Sequence, residues 1–241
     1  MKVYSPVVAL VQARMNSSRF PGKMMEKLQG KPILEWVLRR VRLASSIDEI
    51  ILATTDQWED EVLVDLAKTH AVEAFRGSSE DVLERFCFAS RQVRANTIVR
   101  ICADNPLVDP LEIDRAVLEY RFHNPDYSFN HIPRLDCKYP NGLGAEVFSE
   151  DLLEMLNRKA KTQFNREHVT SYIWENRHEF VIRAVPCPKE LKISCYESVK
   201  LDIDVPEDLE RLQWLCEGLD LSVSGSRILQ KWRKFMQASS M

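Results

Sequence analysis

The 241 residues, 45% of them hydrophobic, suffice for one sizeable α/β core rather than a disordered or fibrous chain. With 33 lysines and arginines against 36 aspartates and glutamates, the formal charge of −3 and isoelectric point near 6.0 exclude a protein coated in basic charge for duplex nucleic acid. No apolar run reaches the roughly 18 to 20 residues of a membrane span and no export signal opens the chain, so a cytoplasmic protein is expected.

In chain order, Val7 to Val11 is short and β-branched, the pattern of a strand buried on both faces of a parallel sheet. A polar loop leaves its carboxyl end, where open α/β sheets bind ligands. That loop carries Arg14, Ser17, Ser18, Arg19, Gly22 and Lys23: three cations within ten positions and two hydroxyl donors, a set that suits a triphosphate. Neither G-x-x-x-x-G-K-[ST] nor G-x-G-x-x-G is present. Gly30-Lys31-Pro32 opens a helix from Pro32 to about Ala44, with Pro32 in its first turn. Ile33, Trp36, Val37, Arg40 and Val41 lie along its largely apolar stripe, while Arg39 and Arg42 face away.

Further elements alternate: strand 49–56, helix 59–70, strand 71–77, a helix from a Ser79 cap to Val93, and strand 96–102. Such alternation predicts right-handed crossovers and an α/β fold with a largely parallel sheet, its first 105 residues forming a nucleotide-binding half. Residues 106–220 are expected as an acceptor and possible dimer half of the same single domain, with strands at 125–130, 144–149, 180–186 and 200–205. Helices are expected there at 149–160, 165–178 and 206–219. Residues 221–241 contain a basic amphipathic helix, expected to pack on the domain's own surface or on a neighbouring subunit. The six cysteines, Cys87, Cys102, Cys137, Cys187, Cys195 and Cys216, include no Cys-x-x-Cys pair and are expected as reduced thiols.

Asp104 follows strand 96–102 in Ala103-Asp104-Asn105-Pro106, which places a carboxylate at the same sheet edge as the cationic loop; an ordinary Asp-Asn-Pro turn fits those residues equally. Asp204 ends the alternating segment Leu201–Val205, and Asp202, two positions earlier, would share its face on a strand. Carboxylates converging near phosphates suit Mg²⁺, which takes one or two protein oxygens and the rest from water and nucleotide. Glu207 and Asp208 are expected as charges at a helix amino terminus.

The segments VQARMNSSRFPGK and QGKPILEWVLRRV, with RICADNPLVDP at 100–110, YPNGLGAEVF at 139–148, REHVTSYI at 166–173 and LDIDVPEDLERL at 201–212, occur in the order of a known family. The chain resembles the cytidylyltransferases that make CMP-activated sugar acids, most closely the SpsF-like branch named for spore coat polysaccharide biosynthesis, related to the acylneuraminate and KDO enzymes. The resemblance implies a Rossmann-like nucleotide-diphospho-sugar transferase fold and attack of an acceptor oxygen on the α-phosphate of CTP, releasing pyrophosphate for glycan synthesis. It implies Mg²⁺ at Asp104 and Asp204, and CTP at Ala13, Arg14, Ser17, Ser18, Arg19, Gly22, Lys23 and Asp104, with Arg14, Lys23, Asp104 and Asp204 catalytic. An acidic small-molecule acceptor and a homodimer are implied as well.

Glu146, Arg166 and His168 are candidate acceptor-binding residues; for His168 a structural or subunit-contact role fits equally, and Arg166 at a helix start is often merely exposed. Asn16 stands where the family usually has glycine, and asparagine is the residue that best tolerates a left-handed backbone in its place. Two other readings remain: a glycosyltransferase using Asp202-x-Asp204 for its metal, and a non-catalytic nucleotide sensor or scaffold.

Overall fold

A computed structural model describes residues 6–193 and 196–239. In chain order the elements are β1 (Val7–Gln12), β2 (Lys27–Leu28), β3 (Lys31–Pro32), α1 (Ile33–Val41), β4 (Glu49–Thr55), α2 (Glu61–Thr69), β5 (Glu73–Gly77), α3 (Val82–Gln92) and β6 (Thr97–Cys102). There follow α4 (Pro110–His123), β7 (Tyr127–Phe129), β8 (Glu146–Ser149), α5 (Glu150–Lys159), α6 (Gln163–Glu167), α7 (Ser171–Glu175), β9 (Ile182–Ala184), α8 (Pro206–Cys216) and α9 (Gly225–Ser239).

Seven strands form one sheet in the order β5-β4-β1-β6-β8-β7-β9. β1 lies between β4 and β6, parallel to both, and β5 extends that parallel block. β1, β4 and β6 read as near-continuous apolar runs because helices cover both faces, while the edge strand β5 is only partly buried. β8 turns antiparallel against β6, with Arg100 opposite Glu146, and also against β7, which pairs in parallel with β9. The largely parallel α/β sheet expected from the alternating pattern is therefore present, with an antiparallel strand inserted beyond β6.

The apolar stripe of α1 is buried, and Arg40 is buried with it. The Arg40 guanidinium donates to the carbonyls of Val108 (2.7 Å) and Leu221 (2.8 Å), tying α1 to the segment that follows Asp104. Pro32 precedes α1 and pairs in the hairpin of β2 and β3, whose two-residue turn at Gln29 and Gly30 has positive φ at both positions. α9 lays Ile228, Leu229 and Trp232 into the core and packs on α8, so this basic helix covers the chain's own surface. Cys87, Cys102, Cys137, Cys187 and Cys216 are free thiols; Cys195 lies outside the described residues.

Several local expectations are corrected. α3 is capped by Asp81, whose carboxylate accepts the Glu84 N–H at 2.9 Å, not by Ser79. Residues 110–123, absent from the expected elements, form α4, capped by Asp109 with Pro110 in the first turn and ended by Asn124 in the left-handed region. The single helix expected over 165–178 is broken into α6 and α7 at His168 (φ −104°, ψ 79°). The break turns the Thr170 hydroxyl onto the Glu146 carboxylate at 2.7 Å.

Residues 200–205 are not a sheet strand. Leu201 and Ile203 are buried, so the alternation is real, but the segment crosses the end of β6 instead of running beside it. It is held there by the Ile203 N–H donating to the Asp104 carbonyl at 2.8 Å.

Candidate active site

Residues 13–23 leave β1 at the carboxyl edge of the sheet, between the ends of β4 and β6. Asp60 fixes how they leave. Its buried carboxylate accepts the Met15 N–H at 2.7 Å and, from the end of β4, the Thr54 hydroxyl at 2.8 Å and the Thr55 N–H at 3.0 Å. The Thr55 hydroxyl adds a fourth bond at 2.5 Å. The loop then closes on itself, the Gly22 N–H donating to the Met15 carbonyl at 2.8 Å with Gly22 at φ 77°, a backbone that glycine adopts without strain. Asn16 is not among the positive-φ residues, so its replacement of the family's glycine asks for no left-handed tolerance.

This loop forms one wall of a cleft of about 300 Å³. Ala13, Arg14, Ser17, Ser18, Arg19, Lys23, Asp104, His168 and Asp204 all line it; Gly22 contributes the turn behind it. Gln12, Arg100, Cys102 and Glu167, not counted among the candidates from sequence, line it too. Lys23 is buried, and its ammonium donates to the Ile203 carbonyl at 2.7 Å. The same nitrogen lies 3.5 Å from Asp104 and 3.8 Å from Asp204, so two carboxylates a hundred positions apart in sequence converge on one cation. Arg19 forks onto Asp204 with two bonds of 3.1 and 2.9 Å. Arg14 donates to Glu167 at 3.2 Å and to the Ser79 carbonyl at 3.3 Å.

A hard divalent cation fits these donors. Asp104 and Asp204 offer oxygens to one point already occupied by positive charge. Among the described residues no cluster of three or more His, Cys, Asp or Glu side chains forms a complete protein cage. Two carboxylates suit a hard ion that takes one or two protein oxygens and other ligands from elsewhere. Asp202 does not join them: its carboxylate accepts from Asn141 at 3.0 Å, and burial together with Asp104 and Asp204 raises its pKa. The shared strand face expected for Asp202 and Asp204, and with it the Asp-x-Asp arrangement, is therefore absent. Asp208 caps α8, taking Lys200 at 2.7 Å and the backbone N–H groups of Asp204 and Val205.

A second wall is made by Arg100 and Cys102 of β6, with β8 paired behind it, and by Glu167 and His168 at the end of α6. Glu146, expected to meet acceptor hydroxyls, is instead buried with its oxygens filled: Arg100 on one, the hydroxyls of Tyr127 (2.6 Å) and Thr170 (2.7 Å) on the other. Burial alone would push this carboxyl up; Arg100, His131 and the two hydroxyls hold it below the usual carboxylate range. Arg100 also donates to Gln12 at 3.2 Å, and it is Arg100 that reaches the cleft. Its sequence signal was a charge inside the buried run Thr97–Cys102, where an arginine demands a partner.

Arg166 also lies outside the cleft. It clamps α6 to the cap of α3 through Asp81 (2.7 Å) and to the Asn157 carbonyl (2.9 Å). His168 is exposed at the cleft, its ring 4.6 Å from that of Phe164. A second hollow of about 270 Å³ shares Arg14 and Glu167 with the first and is lined further by Thr55, Gln57, Ser79, Glu80 and Gln163.

Comparison with known proteins agrees with this architecture. The chain is 30% identical over 230 residues to the spore coat polysaccharide biosynthesis protein SpsF of Bacillus subtilis, covering 92% of each. A cytidylyltransferase structure from Leptospira borgpetersenii superposes with a TM-score of 0.89 at 28% identity, covering 97% of this chain and 96% of that one. CMP:2-keto-3-deoxy-manno-octonic acid synthetase complexed with CTP shares the fold, with a TM-score of 0.66 at 17% identity over 88% of this chain and 99% of that one. The cytidylyltransferase family model matches residues 8–228. The fold that carries the cationic loop and the paired aspartates is thus that of a nucleotidyltransferase, and the chain is a member of the cytidylyltransferase family.

Proposed function

We propose that the chain is a Mg²⁺-dependent cytidylyltransferase that joins CMP to a sugar acid or related acidic acceptor for surface polysaccharide or other glycan synthesis, releasing pyrophosphate. The observation that carries this reading is the convergence of Asp104 and Asp204 on Lys23 at the foot of a cleft rimmed by Arg14 and Arg19. A cytoplasmic homodimer is part of the same reading.

The loop hydroxyls of Ser17 and Ser18 and the cations Arg14, Arg19 and Lys23 grip the triphosphate, Arg14 and Arg19 exchanging Glu167 and Asp204 for phosphate oxygens. The hollow beside Arg14, lined by backbone and side-chain polar groups, takes the base. Asp104 and Asp204 hold Mg²⁺, which when bound supplies neutralising charge to the phosphates. The acceptor enters over Arg100 and His168, its oxygen in line with the α-phosphorus and the pyrophosphate. That phosphorus carries negative oxygens, so catalysis comes from positioning and charge neutralisation by Lys23 and the arginines, with no covalent enzyme intermediate. As pyrophosphate departs, the same cations take up its growing charge.

The test is thermal unfolding with CTP, ATP, GTP, UTP and a UDP-sugar in turn, with and without Mg²⁺, on the parent chain and Asp104→Ala. A ligand at about a hundred times its dissociation constant adds roughly 2.7 kcal/mol. Stabilisation by CTP with Mg²⁺, with its metal-dependent part lost in Asp104→Ala, is the expected result. Stabilisation by the UDP-sugar and not by CTP would overturn the proposal.

A further inference from the structure

Two hollows at the carboxyl edge of the sheet meet at one pair of side chains. Arg14 and Glu167 line both the cleft and the smaller hollow beside it, and they face each other at 3.2 Å. Two segments pass this junction in the same order. In the loop after β1, Asn16 lines only the smaller hollow, Arg14 lines both and Lys23 lines only the cleft. Along α6 and its end, Gln163 lines only the smaller hollow, Glu167 lines both and His168 lines only the cleft. A nucleotide joins its base to its phosphates through ribose. With the base in the smaller hollow and the triphosphate in the cleft, the ribose crosses between Arg14 and Glu167.

We infer that Glu167 recognises the ribose, its carboxylate accepting the 2′- and 3′-hydroxyls, so that the site selects ribonucleotides over 2′-deoxyribonucleotides; this assignment rests on the nucleotide reading given above. Charge is what requires it. A carboxylate beside a triphosphate opposes its binding unless hydrogen-bond donors meet the carboxylate oxygens. Arg14 supplies such a donor in the free chain and turns to phosphate oxygens when the nucleotide enters. Between base and phosphates, the ribose hydroxyls are the donors a nucleotide has to offer in its place. An ionised carboxylate, acceptor-only with two oxygens, matches a vicinal pair of them. Dinucleotide-binding folds place an acidic side chain on a ribose hydroxyl by the same match.

The residues around Glu167 are locked, but its own carboxylate is free to change partner. Thr162 caps α6 by accepting the Asn165 N–H at 3.2 Å, and the buried Asn165 side chain donates to Glu175 at 2.8 Å. Arg166 is fixed to Asp81 at 2.7 Å. Glu167 follows it with a side chain 42% exposed, paired to an arginine that is itself 37% exposed. Glu80, the other carboxylate of the smaller hollow, does not line the cleft and so stays on the base side of the junction.

Isothermal titration calorimetry of the full chain with CTP and with 2′-deoxy-CTP, each with Mg²⁺ and without acceptor, tests this. The parent chain is expected to bind CTP at least about tenfold more tightly than 2′-deoxy-CTP, the worth of a hydrogen bond to a charged group. Glu167→Ala is expected to cut that preference to about twofold or less, and Glu167→Gln, which keeps one acceptor oxygen, to an intermediate value. Glu80→Gln is expected to move both nucleotides together. A role confined to holding Arg14 would likewise weaken both alike and leave the preference intact. Equal binding of the two nucleotides by the parent chain, or an undiminished preference in Glu167→Ala, overturns the inference while the cytidylyltransferase reading stands. Failure of the parent chain to bind either nucleotide overturns both. Glu167→Gln decides the matter should Glu167→Ala fail to fold.

Discussion

The two walls of the cleft handle charge in opposite ways. On the wall formed by residues 13–23, Arg19 is 64% exposed, and the contacts of Lys23 with Asp104 and Asp204 are stretched to 3.5 and 3.8 Å. On the wall formed by β6 and β8, Arg100 and Glu146 are sealed together, with two further hydroxyls on the same carboxylate. Exposed ion pairs stabilise a fold by about 0 to 1 kcal/mol, so Arg14 and Arg19 give up their internal partners to a ligand at little cost, while the buried Lys23 stays in place beneath them. A buried pair broken on one side leaves an uncompensated charge, so the second wall holds its shape. One wall is built to exchange partners and the other to keep them.

The sharpest way to break this contrast is Glu146→Gln. It leaves Arg100 buried without its counter-charge and is expected to destabilise the fold by about 3 to 5 kcal/mol in denaturant titration, with part regained in Arg100→Gln/Glu146→Gln. A loss no larger than that of a surface pair would show that both walls are alike. Asp104→Ala acts on the other wall. Pyrophosphate release is expected to fall about 10²- to 10³-fold, the usual loss of one group that offsets transition-state charge, while the ligand-free unfolding midpoint hardly moves.

pH separates the walls next. Burial depresses His131, which sits beside the Arg100–Glu146 pair with its Nδ1 buried and unpartnered among the described residues, from 6.5 to about 4. Between those values the unfolded chain binds the extra proton and the folded chain does not, so stability falls as pH drops through this window and is level above it. The expected loss between pH 7 and 5 is on the order of 2 kcal/mol, and His131→Asn should flatten that slope. The smallest stability effect belongs to Arg19→Ala. Its exposed pair with Asp204 predicts a change of at most about 1 kcal/mol in unfolding, against a clear rise in the KM for CTP.

The parallel half of the sheet was legible because β1, β4 and β6 are mostly buried apolar runs and the helices α1, α2 and α3 between its strands each bury one stripe. α4 was not, since apolar residues on both faces, Ile113 and Val117 inward, Leu118 and Phe122 outward, blur any single stripe. Leu201–Val205 alternates like a strand because two of its side chains are buried, but periodicity reports burial and not pairing. The wall of residues 13–23 could be named from sequence because its groups are contiguous. The wall of β6 and β8 could not. Glu146 reads as a free carboxylate until Arg100, 46 positions away, is placed opposite it. Asp60 likewise reads as a helix-start acid until Met15 reaches it across 45 positions.

Ile203 joins the two ends of the site with its two backbone groups, one bonded to the Asp104 carbonyl and the other to the Lys23 ammonium. During synthesis, therefore, the first 105 residues deliver the three loop cations and one carboxylate as a unit, while the second carboxylate arrives a hundred positions later. A growing chain passes through a stage in which Lys23 faces a single acidic group and the cleft has no floor at that end. The two carboxylates thus meet through backbone bonds made between distant segments, not through the order in which the sheet strands are laid down.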